Sequence, residues 1–331
     1  MSRLDPILET RNLTVEIKGR RGLFLPRAEA VRPVDGVSLT IFKGEVYGLV
    51  GESGCGKTTL ARTLLGLRRE TSGEILLRGE SVHGADMKSA RRMRKCIQYV
   101  HQDAIGSLDP WWSIGSTLRE ALKVAGGNPR DPTAVNEALT SVGLDKNTAD
   151  RFPHELSGGQ ARRAALARIV AMRPEIVILD EPTAGLDLSV QALVLNLLLS
   201  IKKTLGLTIV LISHDMNVVR LVCDRISVMY RGRIVEEGPV QRVLGTPYHP
   251  YTRALLAVTP RLVRGFRPAS TAFTTDAANW ADACAFYPRC DFAGLECRKI
   301  RPRHEAIDED SQVACLRWRD ISSNTLVEVR N

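Results

Sequence analysis

Three short, uninterrupted apolar runs punctuate the chain: "EVYGLV" (45–50), "EIVILD" (175–180) and "LTIVLIS" (207–213). Each is too short for a core helix, carries β-branched or large apolar residues, and is bounded by polar positions. That pattern predicts strands buried on both faces. "CIQYV" (96–100) reads the same way. Helical spacing occupies "SIGSTLREALKVAG" (113–126), "DPTAVNEALTSVGL" (131–144), "GGQARRAALARIVAM" (158–172) and "SVQALVLNLLLSIKKTLG" (189–206). In the second of these, Asp131 is placed as N-cap with Pro132 at the first helical position. Buried strands alternating with helices predict an α/β fold, a mostly parallel sheet with helices on both faces. "NLTVEIK" (12–18) and "VSLTIF" (37–42) read as further strands, with a basic, turn-rich surface loop between them. "RISVMYRGRIVEEG" (225–238) predicts a hairpin turned at Arg231-Gly232. Beyond about residue 260 the pattern breaks into Pro, Arg and Cys, and the compact domain is expected to end there.

The stretch "LVGESGCGKTTL" (49–60) joins the first apolar run to a helical pattern with Leu60, Leu64 and Leu67 on one face. Gly51, Gly54 and Gly56 fall within six residues, where a simple turn needs one glycine or two. Gly51-x-x-x-x-Gly56-Lys57-Thr58 is the phosphate-loop pattern. Its backbone N–H groups converge on an anion, and the helix N-terminus adds its dipole. Lys57 supplies a point charge to the β- and γ-phosphates, and the Thr58 hydroxyl suits Mg²⁺. Against this stands a glycine-rich turn that binds nothing, which the full pattern between strand and helix disfavours. The chain is expected to bind a nucleoside triphosphate.

Two further elements extend the pattern. "IVILDEP" ends an apolar strand in Asp180 and Glu181, at the carboxyl end where both carboxylates face the crevice of the phosphate loop. Asp180 suits the Mg²⁺ shell and Glu181 a water attacking the γ-phosphate; the alternative is an acidic N-cap pair. "LSGGQ" (156–160) puts Ser157 at an N-cap with glycines in the first turn, a second anion seat. One nucleotide does not need two such seats from one domain. A dimer in which each seat closes on the partner's nucleotide uses both.

On these motifs the chain resembles the nucleotide-binding subunit of an ABC transporter, from about residue 8 to 260. The resemblance implies an N-terminal antiparallel β-subdomain and a helical signature subdomain, roughly 104–172, beside the parallel core. It also places the family's site residues. Gly51, Glu52, Ser53, Gly54, Cys55, Gly56, Lys57, Thr58 and Thr59 match the Walker A loop that binds ATP. Gln102, in "VHQD", matches the glutamine that touches Mg²⁺ and faces the membrane subunit. Ser157, Gly158, Gly159 and Gln160 match the signature. Asp180 matches the Walker B carboxylate, and Glu181 matches the catalytic base. Asp187, in "AGLD", matches the loop that crosses the dimer. His214, in "LISHD", matches the switch histidine. Three places depart from the family: Ile17 stands where an adenine-stacking aromatic is usual, with Phe24 as a substitute; Ala104 follows "QD" where proline is common; and "ARR" (161–163) after the signature replaces a more typical glutamine-containing basic run.

Composition narrows the partners. Apolar residues make up 44% and charged residues 25%, ordinary for a globular chain, and the formal net charge is +9. Without a helix-turn-helix or RNA-binding motif, the basic excess favours a membrane surface or partner-facing patch over nucleic acid. No apolar run reaches the length of a membrane span, and the N-terminus carries no apolar signal core. The resemblance therefore implies a peripheral ATPase on the cytoplasmic face of the inner membrane. It implies a second, related ATPase or a second copy of this chain, two transmembrane permease subunits and an extracytoplasmic solute-binding protein. Trp111 and Trp112 follow the Gln102 segment, where they would meet a membrane subunit or pack locally.

Cys284, Cys290, Cys297 and Cys315 are separated by five, six and seventeen residues. Clustered cysteines in a reducing compartment favour a metal site over disulfides. Spacing alone leaves Zn²⁺, an iron–sulfur cluster and free thiols open. "GTPYHPYTRALLAVTP" (245–260) followed by these cysteines is similar to ATPases of the dipeptide, oligopeptide and nickel importer family. That resemblance implies peptide uptake and a [4Fe–4S] cluster in the extension, 261–331. Nickel or oligosaccharide import, or an ABC-type ATPase outside transport such as one in phosphonate breakdown, is the alternative. Cys55, Cys96 and Cys223 are expected to be packing residues.

Overall fold

The computed structural model describes residues 5–17, 30–82, 87–100, 106–258 and 282–321. Two sheets organise them. The first is antiparallel, built from β1 (Pro6–Ile17), β2 (Val31–Phe42), β4 (Ser72–Leu77) and β5 (Glu80–Ser81) in the order β2-β1-β4-β5. The first two are longer than the sequence pattern predicts, because their polar outer faces interrupt the apolar signal. The second sheet contains β3 (Val46–Val50), β6 (Ile97–Val100), β7 (Ile176–Asp180), β8 (Thr208–Ser213), β9 (Arg225–Tyr230) and β10 (Arg233–Pro239). Two short strands, β11 (Glu305–Ala306) and β12 (Gln312–Val313), complete its order, β11-β12-β10-β9-β3-β8-β7-β6.

The pairs β3/β8, β3/β9, β7/β8 and β6/β7 are parallel. Their apolar runs are buried on both faces, as parallel strands require. Val177 and Leu179 face one core with Ile209 and Leu211. Ile176 and Ile178 face the other with Val210 and Ile212. The first core receives α3 (Ile114–Ala125), α4 (Pro132–Ser141), α5 (Gly158–Met172), α6 (Leu188–Leu205) and α7 (Met216–Val222). The second is closed by α1 (Lys57–Leu64) and the antiparallel sheet, with α2 (Met87–Cys96) adding Met93. Leu60 and Leu64 are buried there. Leu67 is not: α1 ends at Leu64, and Leu67 is exposed beyond it.

Local signals explain most element ends. Asp131 accepts the Thr133 N–H at 2.9 Å with Pro132 at the first helical position. The β9–β10 hairpin turns at Arg231 (φ 43°) and Gly232 (φ 83°), the left-handed pair that matches strand twist.

The first core also receives α8 (Val240–Gly245) and α9 (Pro250–Val258), and the described part of the extension packs on the same body. Residues 282–321 return to it. β12 pairs with β10, and Phe286 joins the first core. Of the three cysteines expected to be packing residues, Cys55 and Cys223 are buried and Cys96 is half-buried.

Candidate functional site

The phosphate loop spans the end of β3 and the start of α1. Two of its glycines are sterically required. A Cβ on Gly51 would fall 2.2 Å from the Met229 carbonyl oxygen, and one on Gly56 1.8 Å from that of Pro33. Lys57 is buried, and its Nζ donates to the carbonyls of Gly51 at 2.7 Å and Glu52 at 2.9 Å. Cys55 packs beneath it, its thiol pushed up by burial. Ser53 is exposed, and the Thr59 carbonyl accepts the Thr63 hydroxyl at 2.8 Å.

The carboxyl ends of β7 and β8 bring the acidic groups to this loop. Thr58 Oγ1 donates to Asp180 Oδ2 at 3.0 Å. Tyr99, at the end of β6, donates to the same oxygen at 2.5 Å, and its hydroxyl is held protonated by burial and by that carboxylate. Glu181 takes a left-handed backbone (φ 49°), a conformation costing a non-glycine residue about 1–2 kcal/mol. It is fixed by its N–H to the Ile212 carbonyl at 2.9 Å and by its own carbonyl to the Ala184 N–H at 3.1 Å. Strain of this kind collects at working positions. His214 follows β8 and places Nδ1 2.8 Å from Glu181 Oε1. A carboxylate only accepts, so Nδ1 carries the proton of this bond.

The signature is set on a different element. Ser157 caps α5: its Oγ accepts the Gln160 N–H at 3.3 Å, and Gln160 Oε1 accepts the Ser157 N–H at 3.0 Å. A Cβ on Gly158 or Gly159 would meet nothing within 4 Å, so this turn opens outward. One turn on, Arg162 donates to the carbonyls of Pro182 at 3.2 Å and Ala184 at 3.1 Å. The signature helix is therefore tied to the segment that follows Glu181. Asp187 ends that segment as the N-cap of α6, accepting from Ser189 and Val190 at 3.0 Å each. Arg162 lies in the "ARR" run after the signature, but an arginine inside a helix carries no pattern that foretells this link.

Glu52 has partners that sequence reasoning missed. Its N–H is given to the Tyr251 hydroxyl at 2.8 Å. Its carboxylate accepts two hydrogen bonds from Arg289, at 3.1 and 3.0 Å. Amide and carboxylate are both committed, so the structure gives Glu52 a supporting place beside the phosphate seat. Some 237 positions separate Arg289 from Glu52, and no local signal links them.

Cys284, Cys290, Cys297 and Cys315 line one small cavity with His249, Phe286 and Phe292. Burial pushes the thiols of Cys284, Cys290 and Cys315 up, to about 11 at Cys290 and about 12 at Cys315. Backbone N–H groups of Phe286, Phe292 and Arg317 face the sulfurs of Cys284, Cys290 and Cys315 and pull the other way. Among the described residues, no three His, Cys, Asp or Glu side chains are set to hold one metal ion.

Gln102, Ala104 and Phe24 lie outside the described residues. Ile17 ends β1 opposite Val31 and is exposed. Trp111 and Trp112 stand at the surface, 87% and 42% exposed. Among the described residues no helix is long and apolar enough to cross a membrane.

Comparison with known proteins places this arrangement. The ABC transporter family model matches residues 34–184, and the oligopeptide/dipeptide transporter C-terminal region matches 235–297. A putative peptide import ATP-binding protein of Brucella abortus is 44% identical over 289 residues, 86% of each chain. The oligopeptide transport ATP-binding protein OppF of Escherichia coli is 38% identical over 330 residues, 94% of this chain and 96% of its own. The dipeptide transport ATP-binding protein DppF of Haemophilus influenzae is 38% identical over 318 residues, 94% and 96% of the two chains. Among solved structures, cbiO1 of Clostridium perfringens, part of an ABC transporter complex, superposes with TM-score 0.61 at 29% identity over 73% of this chain and 91% of its own. The ATP-binding cassette MJ0796, a dimer bound to ADP and Pi after hydrolysis, gives 0.59 at 26% over 70% and 98%. Loop, carboxylates and signature on this fold, with relatives alike over nearly their whole length, make the chain a member of the ATP-hydrolysing, ATP-binding subunits of ABC transporters, in the branch that carries the oligopeptide/dipeptide C-terminal region.

Proposed function

We propose that this subunit powers peptide uptake by closing on ATP at a dimer seam and reopening after hydrolysis. The observation that carries the chemistry is the Glu181–His214 contact beside the Thr58–Asp180 pair. The names of the peptide-transport relatives support the solute class.

In this reading the N–H groups of residues 54–59 and Lys57 hold the phosphates, and Ser157, Gly158, Gly159 and Gln160 of one subunit cover the nucleotide of the other. Glu181 accepts a proton from the attacking water. His214 orients that water, and Lys57 offsets the charge that grows on the γ-phosphate. Thr58 Oγ1 and Asp180 Oδ2, hard oxygen donors side by side, fit Mg²⁺, and Gln102 completes that set by resemblance. Bound Mg²⁺ supplies positive charge to the β- and γ-oxygens. Asp187 meets the partner across the seam.

The cassette is assigned to 1–260, with the signature subdomain at about 104–172, and the cysteine region to 261–331. The partners are a related ATPase or a second copy, two permease subunits reached through the Gln102 segment, and an extracytoplasmic binding protein. The site of action is the cytoplasmic face of the membrane. The four cysteines are assigned to a [4Fe–4S] cluster: their shared cavity and the N–H groups aimed at their sulfurs suit one. Iron and sulfide content with visible absorbance, in wild type and C290S, tests that assignment.

The function is tested by reconstituting the chain with its permease partners in vesicles and following labelled di- and oligopeptides. ATP-dependent uptake lost with E181Q is expected; uptake of nickel complexes or sugars in preference to peptides would replace the solute.

A further inference from the structure

A carboxylate inside a phosphate loop is chemically awkward. Glu52 lies between Gly51 and Gly54 and carries a negative charge next to the seat of a triphosphate. Left free, it would compete for the loop's N–H groups and for Lys57, and would repel the ligand.

The extension removes this conflict. Arg289 grips both oxygens of Glu52 in the bidentate arrangement that only a guanidinium makes. The pair is partly sheltered, with side chains 20% and 32% exposed. Arg289 is itself held over aromatic rings, its guanidinium carbon 5.6 Å from the Phe286 centroid and 5.9 Å from that of Tyr230. Tyr230, Phe286 and Tyr251 pack on one another at centroid distances of 4.5–5.6 Å, and Tyr251 is the residue that accepts the Glu52 N–H. One aromatic platform thus fixes both the backbone and the charge of Glu52.

We propose that Arg289 is a positioning residue of the nucleotide site, and that through Glu52 the cysteine-bearing extension sets the affinity for ATP. Arg289 stands immediately before Cys290, so the turn that lines the cysteine cavity also carries the grip on the loop. The inference rests on residues 51–59 being the phosphate cradle.

Equilibrium binding of a fluorescent ATP analogue to the full chain tests it, with ATPase Km and kcat measured in the complex with its permeases. R289A is expected to weaken nucleotide binding about tenfold, the size of one partly screened unit charge a few Å from the phosphates. Km rises with it, and kcat at saturation stays near wild type. E52Q placed in R289A restores binding to within about threefold, since the stray charge is then absent. R289K, which grips one oxygen, falls between. K57A, losing binding while R289A leaves it unchanged, would overturn the role of Arg289 and keep the cradle. K57A binding as tightly as wild type would overturn the cradle and the inference with it. An E52Q/R289A double variant as weak as R289A would also overturn the proposal. If R289A does not fold, E52Q alone decides: affinity equal to or above wild type supports it, a tenfold loss refutes it.

Discussion

Glu181 Oε1 and His214 Nδ1 stand 2.8 Å apart, joining the residues that follow two neighbouring parallel strands, β7 and β8. E181Q keeps the size and the bond to His214 and removes the base. Hydrolysis is expected to fall at least about a hundredfold, with ATP binding retained and a closed dimer accumulating. Single-turnover assays and gel filtration with ATP would read both. Turnover within threefold of wild type would remove Glu181 from that role.

Thr58 and Asp180 are bonded to each other at 3.0 Å, an arrangement a bound cation would take over. T58A therefore raises the Mg²⁺ needed for half-maximal ATPase by about tenfold or more, with little change in melting temperature. An unchanged Mg²⁺ titration would place the ion elsewhere.

Arg162 links the signature helix to the carbonyls of Pro182 and Ala184. Hydrogen bonds from a charged donor are worth about 1.5–3 kcal/mol each way, so R162A is expected to lower dimer-dependent turnover about tenfold or more. Nucleotide affinity of the isolated chain should not move. Loss of affinity along with turnover would mean that the contact serves folding instead.

Two buried groups with opposite shifts shape the acid response. Burial holds His249 neutral, its pKa lowered from 6.5 to about 3, so the unfolded chain binds the extra proton and stability falls as pH drops from 6.5 towards 3. Burial raises Glu236 from 4.5 to about 7. There the folded chain holds the extra proton, so stability is full below 4.5 and falls as pH rises through 7. Between 4.5 and 6.5 the two slopes oppose. E236Q is expected to steepen the acid loss in that window by up to about 1.4 kcal/mol per pH unit, read by urea melts at several pH values. An unaltered slope would sink the assignment.

The core was legible because its strands are buried on both faces: β7 and β8 are runs with hardly a polar interruption, and the loop that follows β3 has a fixed glycine pattern. Asp131 and the Arg231-Gly232 turn were legible through local backbone chemistry. β4 and the full lengths of β1 and β2 were not, because one-sided strands with bulges blur the period of two. The return of residues 282–321 was illegible for a different reason. It rests on Arg289 meeting Glu52 and on β12 meeting β10, contacts between distant positions that leave no periodic trace.

The pairing of β12 with β10 has a further outcome. Ala314 N–H donates to the Val235 carbonyl at 2.8 Å, and Gln312 Nε2 to Glu237 at 2.9 Å. A chain cut after Val258 would leave the outermost strand, Arg233–Pro239, with its peptide groups bare, a template for the same strand of another molecule. Shortened versions of this subunit would then clump before they could ever be tried with nucleotide, and the cysteine-bearing tail would owe part of its keeping to solubility.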